Sequence, residues 1–334
     1  MVGWDNLSDQ PLHIRDKKYK RSIRKKYPAD IIISALTIIL IYPIIFIRWL
    51  FGFKKNPDFS PKNIFGMSVN VDKEPKISPE LINELGVEEI LIRIPLNDIK
   101  NISKYANFAK SFQNKNIMFN VIQNRAHIDD KALLEKDITI LFDTLSKYSN
   151  RFQIGNAINR IKWGFALPKE YLLFFKTVQK IRDKNFPQIK LIGPSVIDFE
   201  YHVTIRALFN FFNIKYDGLS SLLYVDRRGA PENKQMIFSL IEKINLLKSI
   251  AVLSPKLKSN NIYITETNWP IKNTGKYAPT SGHECVSEDD YMAFMVRYYL
   301  LAISTTHIKT IYWHQLIAPG YGLIDNRDGI KKRK

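Results

Sequence analysis

The segment Asn261-Ile262-Tyr263-Ile264-Thr265-Glu266-Thr267-Asn268-Trp269-Pro270 carries the residue best suited to chemistry in this chain. Its β-branched apolar run reads as a buried strand. That strand delivers one carboxylate at its C-terminal end, just before an aromatic and a helix-breaking proline. A buried strand has little reason to finish on an acid unless the acid faces a pocket, because an unpaired buried carboxylate is costly. Glu266 is therefore read as a nucleophile, as an electrostatic stabiliser of a cationic centre, or as a structural acid bonded to Arg93. Trp269 and Trp313 stand near the ends of the last two strands and offer flat apolar faces, with Trp163 a third; core packing is an equally common use of tryptophan. Tyr224, Asp226, Arg227, Arg228 and Glu232 form a polar cluster that either meets a charged ligand or pairs within itself as a solvated loop. His283 and Cys285 lack metal-ligand spacing, so no metal and no cofactor are expected.

The elements that must position these residues alternate. Apolar runs at 64–71, 89–94, 117–122, 152–156, 190–194, 218–225, 262–265 and 310–314 read as strands, and patterns at 131–148, 168–184, 233–253 and 288–304 read as helices. Ser287-Glu288-Asp289-Asp290 before an apolar run is a helix start, with its acids against the helix dipole. Eight strands with intervening helices predict an α/β fold, a parallel (β/α)8 TIM barrel, whose chemistry sits at the C-terminal ends of the strands. A doubly wound sheet is the runner-up, but no Gly-rich phosphate turn follows the first strand. No eighth helix is expected after 314, so the outer face between the first and last strands should be thinly covered.

Ahead of the barrel, residues 31–53 are almost wholly apolar, and the seventeen from 31 to 47 carry no charge. That is about the minimum for ~30 Å of hydrocarbon, and it predicts one transmembrane helix, with a buried hydrophobic helix as the alternative. Arg15, Lys17, Lys18, Lys20, Arg21, Arg24, Lys25 and Lys26 lie upstream, against Lys54, Lys55 and Lys62 downstream. The positive-inside rule then gives a single-pass protein of the cytoplasmic membrane. Its parts are a basic cytoplasmic segment at 1–28, a span at 29–53, a linker at 54–62, and a barrel at 63–334 lying outside, periplasmic in a Gram-negative cell. The upstream basic run also suits membrane lipid headgroups. A net charge of +18 raises nucleic acid as a partner. The densest basic clusters lie at the two ends, the remaining excess is spread through a Lys-, Ile- and Asn-rich sequence, and no zinc finger, RNP or KH loop stands between them, so no nucleic-acid partner is expected. One cysteine excludes an internal disulfide framework.

Several segments taken in order resemble the clan A glycoside hydrolase barrels. Leu85-Gly86-Val87 and a strand ending in Arg93 resemble the second-strand arginine of that family. Gln153-Ile154-Gly155-Asn156-Ala157-Ile158-Asn159 is similar to its fourth-strand Asn-Glu-Pro segment, and Tyr216-Asp217-Gly218 leading to Tyr224 to its sixth strand. Thr265-Glu266-Thr267-Asn268-Trp269-Pro270 resembles the nucleophile strand, and Ile311-Tyr312-Trp313-His314 the eighth, with its sugar-stacking tryptophan. The resemblance implies a polysaccharide or oligosaccharide substrate, Glu266 as the catalytic carboxylate, and Arg93, Asn156, Tyr224, Asp226, Trp269, Trp313 and His314 as substrate-binding residues. One departure stands out: the family's acid/base glutamate follows the asparagine, and here that place is Ala157. Retaining glycosidases need two carboxyl groups ~5–5.5 Å apart. Glu232, Asp226 and Glu284 are the candidates for a relocated acid. The chain is thus read as a membrane-anchored glycosidase or transglycosidase of non-standard mechanism, or as a non-catalytic glycan-binding barrel in envelope polysaccharide assembly.

Overall fold

The computed structural model describes residues 4–226, 229–278 and 283–333; Arg227 and Arg228 of the polar cluster lie outside them. A small antiparallel hairpin, β1 (Trp4–Asp5) with β2 (Gln10–Pro11), comes first. Two helices follow, α1 (Lys17–Arg24) and α2 (Pro28–Leu50). The alternating part then runs β3 (Phe65–Val69), α3 (Ser78–Leu85), β4 (Glu89–Pro95), α4 (Ile102–Lys110), β5 (Asn116–Ile122), α5 (Arg125–Asp129), α6 (Lys131–Leu145) and β6 (Arg151–Ile154). It continues as α7 (Pro168–Asn185), β7 (Lys190–Ile197), α8 (Tyr201–Leu208), β8 (Gly218–Leu222), α9 (Leu240–Leu253), β9 (Ile262–Thr267), α10 (Glu288–Thr305) and β10 (Ile308–Trp313). A second short hairpin, β11 (Ile324–Asp325) with β12 (Lys331–Lys332), ends the described chain.

The eight strands from β3 to β10 pair in parallel and close into a barrel, β10 returning to β3 with Ile311 opposite Phe65. Closure is helped at Gly66, where a Cβ would stand 2.7 Å from the Tyr312 ring. Side-chain alternation sorts the strands into two cores. Leu91, Met118, Ile192, Tyr263 and Tyr312 fill the barrel interior, while Ile90, Ile92, Ile264, Ile311 and Trp313 belong to the larger layer beneath the helices. Glu89, at the start of β4, meets Arg151 at 2.9 Å and accepts from the Tyr312 hydroxyl at 3.1 Å, so an ion pair closes the N-terminal end of the barrel.

The helix starts follow local chemistry. Ser287 caps α10 by accepting from the Asp290 N–H at 3.0 Å. The helix expected from 233 begins instead at Leu240, because Ser239 and Glu242 form a capping box there. Among the described residues no helix follows β10, and Phe65 on β3 is 44 % exposed beside Tyr299, the thin cover expected on that face.

Among the described residues α2 is the one helix long and apolar enough to cross a membrane. One of its faces lies along α8 and α9. Asp30, fully buried, accepts from Arg206 Nη2 at 2.7 Å and from the Lys169 N–H at 2.9 Å. Ile45 is buried, and Trp49 packs on Phe238 with 5.3 Å between ring centroids.

Candidate active site at the barrel mouth

The C-terminal ends of the strands gather a buried polar group. Glu266, near the end of β9, is 8 % exposed and accepts a hydrogen bond from the Tyr224 hydroxyl at 2.5 Å. Arg93, on β4, faces the same space. Burial works against its charge, but the Asp9 and Glu266 carboxylates outweigh that and hold its pKa above the ordinary arginine value. His314 follows β10 with its ring stacked on Tyr321 at 5.4 Å. Burial, reinforced by Arg93, lowers its pKa, against the pull of Glu266 and Asp9.

Asn156 is fully buried just past β6. Its Oδ1 accepts from Asn120 Nδ2 at 3.0 Å, and its backbone N–H donates to Gln123 Oε1 at 2.9 Å. Gln123 Nε2 in turn donates to the Asn156 and Trp163 carbonyls, both at 2.8 Å, so one glutamine sets the position of both residues. Asn156 Nδ2 is a buried donor with no partner among the described residues, as expected of a group kept for water or ligand. Ala157 lies beside it, fully buried in an apolar cluster with Ile122, Trp163, Leu222 and Tyr224 and with φ at +45°. Nothing on that strand end supplies a second acid.

The N-terminal hairpin occupies the mouth, which no feature of the sequence announced. Asp9 Oδ2 accepts from Arg93 Nη1 at 2.7 Å, Gln315 Nε2 at 3.0 Å and Asn70 Nδ2 at 3.1 Å. Gln10 Oε1 accepts from Lys162 Nζ at 2.6 Å, and Trp4 meets Trp163 edge-on at 5.8 Å. Arg93 was expected to clamp Glu266; the bond it makes is to Asp9, with Glu266 as its second counter-charge. The flanks that charge bias places on opposite sides of a bilayer thus meet here on one body.

Other expectations are redistributed. Trp269 and Trp313 offer no stacking face: both are fully buried, 5.8 Å apart, and Trp313 also stacks on Tyr299 of α10. Their indole N–H groups are used internally, by the Gly229 carbonyl at 3.0 Å and the Tyr291 hydroxyl at 2.6 Å. The physical reason is strand parity: Tyr312 points into the barrel, so Trp313 points out beneath α10. The aromatics at the mouth are instead Trp163 and Trp4, 5.5 and 5.7 Å from the Arg93 guanidinium, and Tyr224 on Glu266. Asp226 acts on Lys243 of α9, and Glu232 is ion-paired with Arg297 on the outer surface. Glu284 stands two residues before Val286, which bridges to Ile271. Asn70, Gln123, Gln315 and Tyr321 were missed; the first two follow strand ends directly and Gln315 stands two residues past β10, and that position was the available signal.

Two held carboxylates, Glu266 and Asp9, with a guanidinium and a set of amide donors at the open end of a barrel can bind a polyhydroxylated ligand and oppose positive charge developing in it. No protein-family model matches the sequence, and no curated protein matches it. Among solved structures, the chain is similar to a family 1 β-glucosidase from Thermotoga maritima, at 11 % identity and TM-score 0.52 over 81 % of this chain and 94 % of that one. It is likewise similar to the Thermotoga maritima β-glucosidase in complex with castanospermine, at 10 % identity and TM-score 0.51 over 81 % and 93 %. At such identities the likeness concerns architecture alone: this chain shares the (β/α)8 TIM-barrel fold of those structures.

Proposed function

We propose that this protein is a membrane-anchored glycosidase or transglycosidase acting on glycosidic bonds of cell-envelope or surface polysaccharide, with Glu266 as nucleophile or electrostatic stabiliser. The observation that carries the reading is the placement of Glu266: buried at the end of β9, held by Tyr224 and facing Arg93. An oxocarbenium-like centre is stabilised by a fixed carboxylate at short range. Asn156 Nδ2 supplies a donor for a sugar hydroxyl, and Trp163 an apolar face. The test is release of reducing ends from the host's own envelope glycans. Glu266→Gln should abolish release, and equal activity in both proteins ends the catalytic reading.

A second reading, a glycan-binding barrel without turnover, is favoured by Ala157 and its apolar surroundings. Ala157→Glu separates the two. If the remaining machinery is catalytic, the variant cleaves an activated aryl glycoside at least about tenfold faster than the parent, a fraction of the ~10²–10⁴ that a well-placed acid contributes. No gain, with envelope glycan still bound, leaves the binding reading.

A further inference from the structure

The apolar character of α2 extends round its circumference, the pattern of a helix that is either buried or bilayer-spanning. Packing divides that circumference in two. Asp30, Ile41, Ile45 and Trp49 face the barrel helices. On the other side Ile32, Leu36, Ile39, Leu40, Ile47 and Leu50 remain between 52 % and 67 % exposed, an uncharged strip along a helix about 34 Å long. Two observations oppose a crossing helix. To run free across a bilayer, α2 would have to withdraw Asp30 from Arg206, leaving a buried guanidinium without its counter-charge. The hairpin that precedes α2 is also bonded into the mouth of the barrel that follows it. Directly before the strip, α1 carries Lys17, Lys18, Lys20, Arg21 and Arg24, a charge set complementary to anionic headgroups. Farther round the barrel, α10 leaves Met292, Val296 and Leu300 exposed at a spacing of four.

We infer that α2 lies in the plane of the membrane, clamped to the barrel through Asp30 and Arg206, and presents its outer strip to a bilayer containing anionic lipid. The barrel serves as the polar half that interfacial helices otherwise carry in their own sequence. This rests on the membrane-anchored reading above and specifies it: hairpin and barrel stay on one side, and the barrel flank, not a tether, meets the lipid.

Two measurements on the full chain test it. With epitopes at both termini and sealed membrane vesicles, an external protease should remove both epitopes or neither. One cleaved and one protected overturns the in-plane arrangement while leaving membrane anchoring standing. In flotation, the purified chain should bind vesicles of phosphatidylcholine with about one quarter phosphatidylglycerol, and several-fold less tightly vesicles of phosphatidylcholine alone. The doubly substituted Leu36→Glu/Leu40→Glu chain should bind at least about tenfold more weakly at an unchanged melting temperature, since both positions are exposed. Undiminished binding by that variant overturns the inference. A lipid-free dimer that the same substitutions dissociate, with no vesicle binding by the parent, means that a second copy covers the strip and overturns the membrane reading as well.

Discussion

The contact between Asp30 and Arg206 decides whether α2 is part of the folded body. Asp30 is fully buried and Arg206 is 3 % exposed, and Arg206 Nε already lacks a partner. Asp30→Leu removes the acceptor from Arg206 Nη2 and from the Lys169 N–H together. Breaking one side of a buried pair costs about 3–5 kcal/mol, because the surviving charge stays desolvated. At about 2 °C per kcal/mol for a chain of this size, the thermal midpoint should fall by roughly 6–10 °C. Removing the second charge as well should restore most of the loss, since apolar replacement of a whole buried pair is often close to neutral. The assay is thermal unfolding of the full chain in mild detergent, followed by tryptophan fluorescence, for the parent, Asp30→Leu and Asp30→Leu/Arg206→Leu. A shift below about 2 °C in the single variant would mean that α2 is not docked on the barrel in solution. A double variant worse than the single would refute the account of the penalty as an unpaired charge.

Tyr224→Phe removes the hydroxyl bonded to Glu266; a hydrogen bond to a charged group contributes about 1.5–3 kcal/mol, so glycan cleavage should fall roughly 10- to 150-fold. Asp9→Ala frees the Arg93, Asn70 and Gln315 donors, so glycan binding, measured by calorimetry, should tighten; weaker binding would make Asp9 part of the ligand site. Trp313→Ala should cost about 3–5 kcal/mol of stability as a core truncation. Trp163→Ala, at a residue 7 % exposed, should also lower the melting temperature and in addition weaken glycan binding, which a titration compares directly. Burial, then the Lys248 charge, lowers His307 from 6.5 to about 4. The unfolded chain therefore takes up this proton first, so stability is full above pH 6.5 and declines toward pH 4. Denaturant titrations across that window should show a shallower decline for His307→Gln.

The barrel was legible because its strands are short β-branched runs separated by helical patterns, and each of the eight expected runs overlaps an observed strand. Glu266 was legible for the same reason: an acid ending an apolar strand has few structural uses. The tryptophans were misread because a sequence gives the period of a strand but not its phase. Tyr312 and Trp313 are neighbours, and the barrel interior takes Tyr312. The Asp9 contacts were illegible, since nothing in a polar segment some 84 residues from Arg93 announces which donors it will meet. The length and apolarity of α2 were legible, and it is long and apolar enough to cross a membrane; its packing against α8 and α9 was not, because hydropathy counts every face of a helix whereas packing uses one of them.

The missing acid can now be weighed against the carboxylates the fold brings near. Glu232 is tied to Arg297 outside the barrel. Asp9 does reach the mouth, but three N–H donors converge on its Oδ2, so it serves there as an acceptor. The place beside Asn156 is taken by the Ala157 methyl among apolar neighbours. Of these carboxylates Glu266 is the one whose setting suits opposing positive charge, and Asp198 and Glu200, beyond β7, are ion-paired with Arg160, so no acid stands where the family's glutamate would be, at Ala157. A glycosidase built this way depends more on the leaving group than on a protein acid: bonds to acidic alcohols or phosphates should break fastest, and bonds between ordinary sugar hydroxyls more slowly. That asymmetry follows from Glu266 and Ala157 together, and neither residue alone implies it.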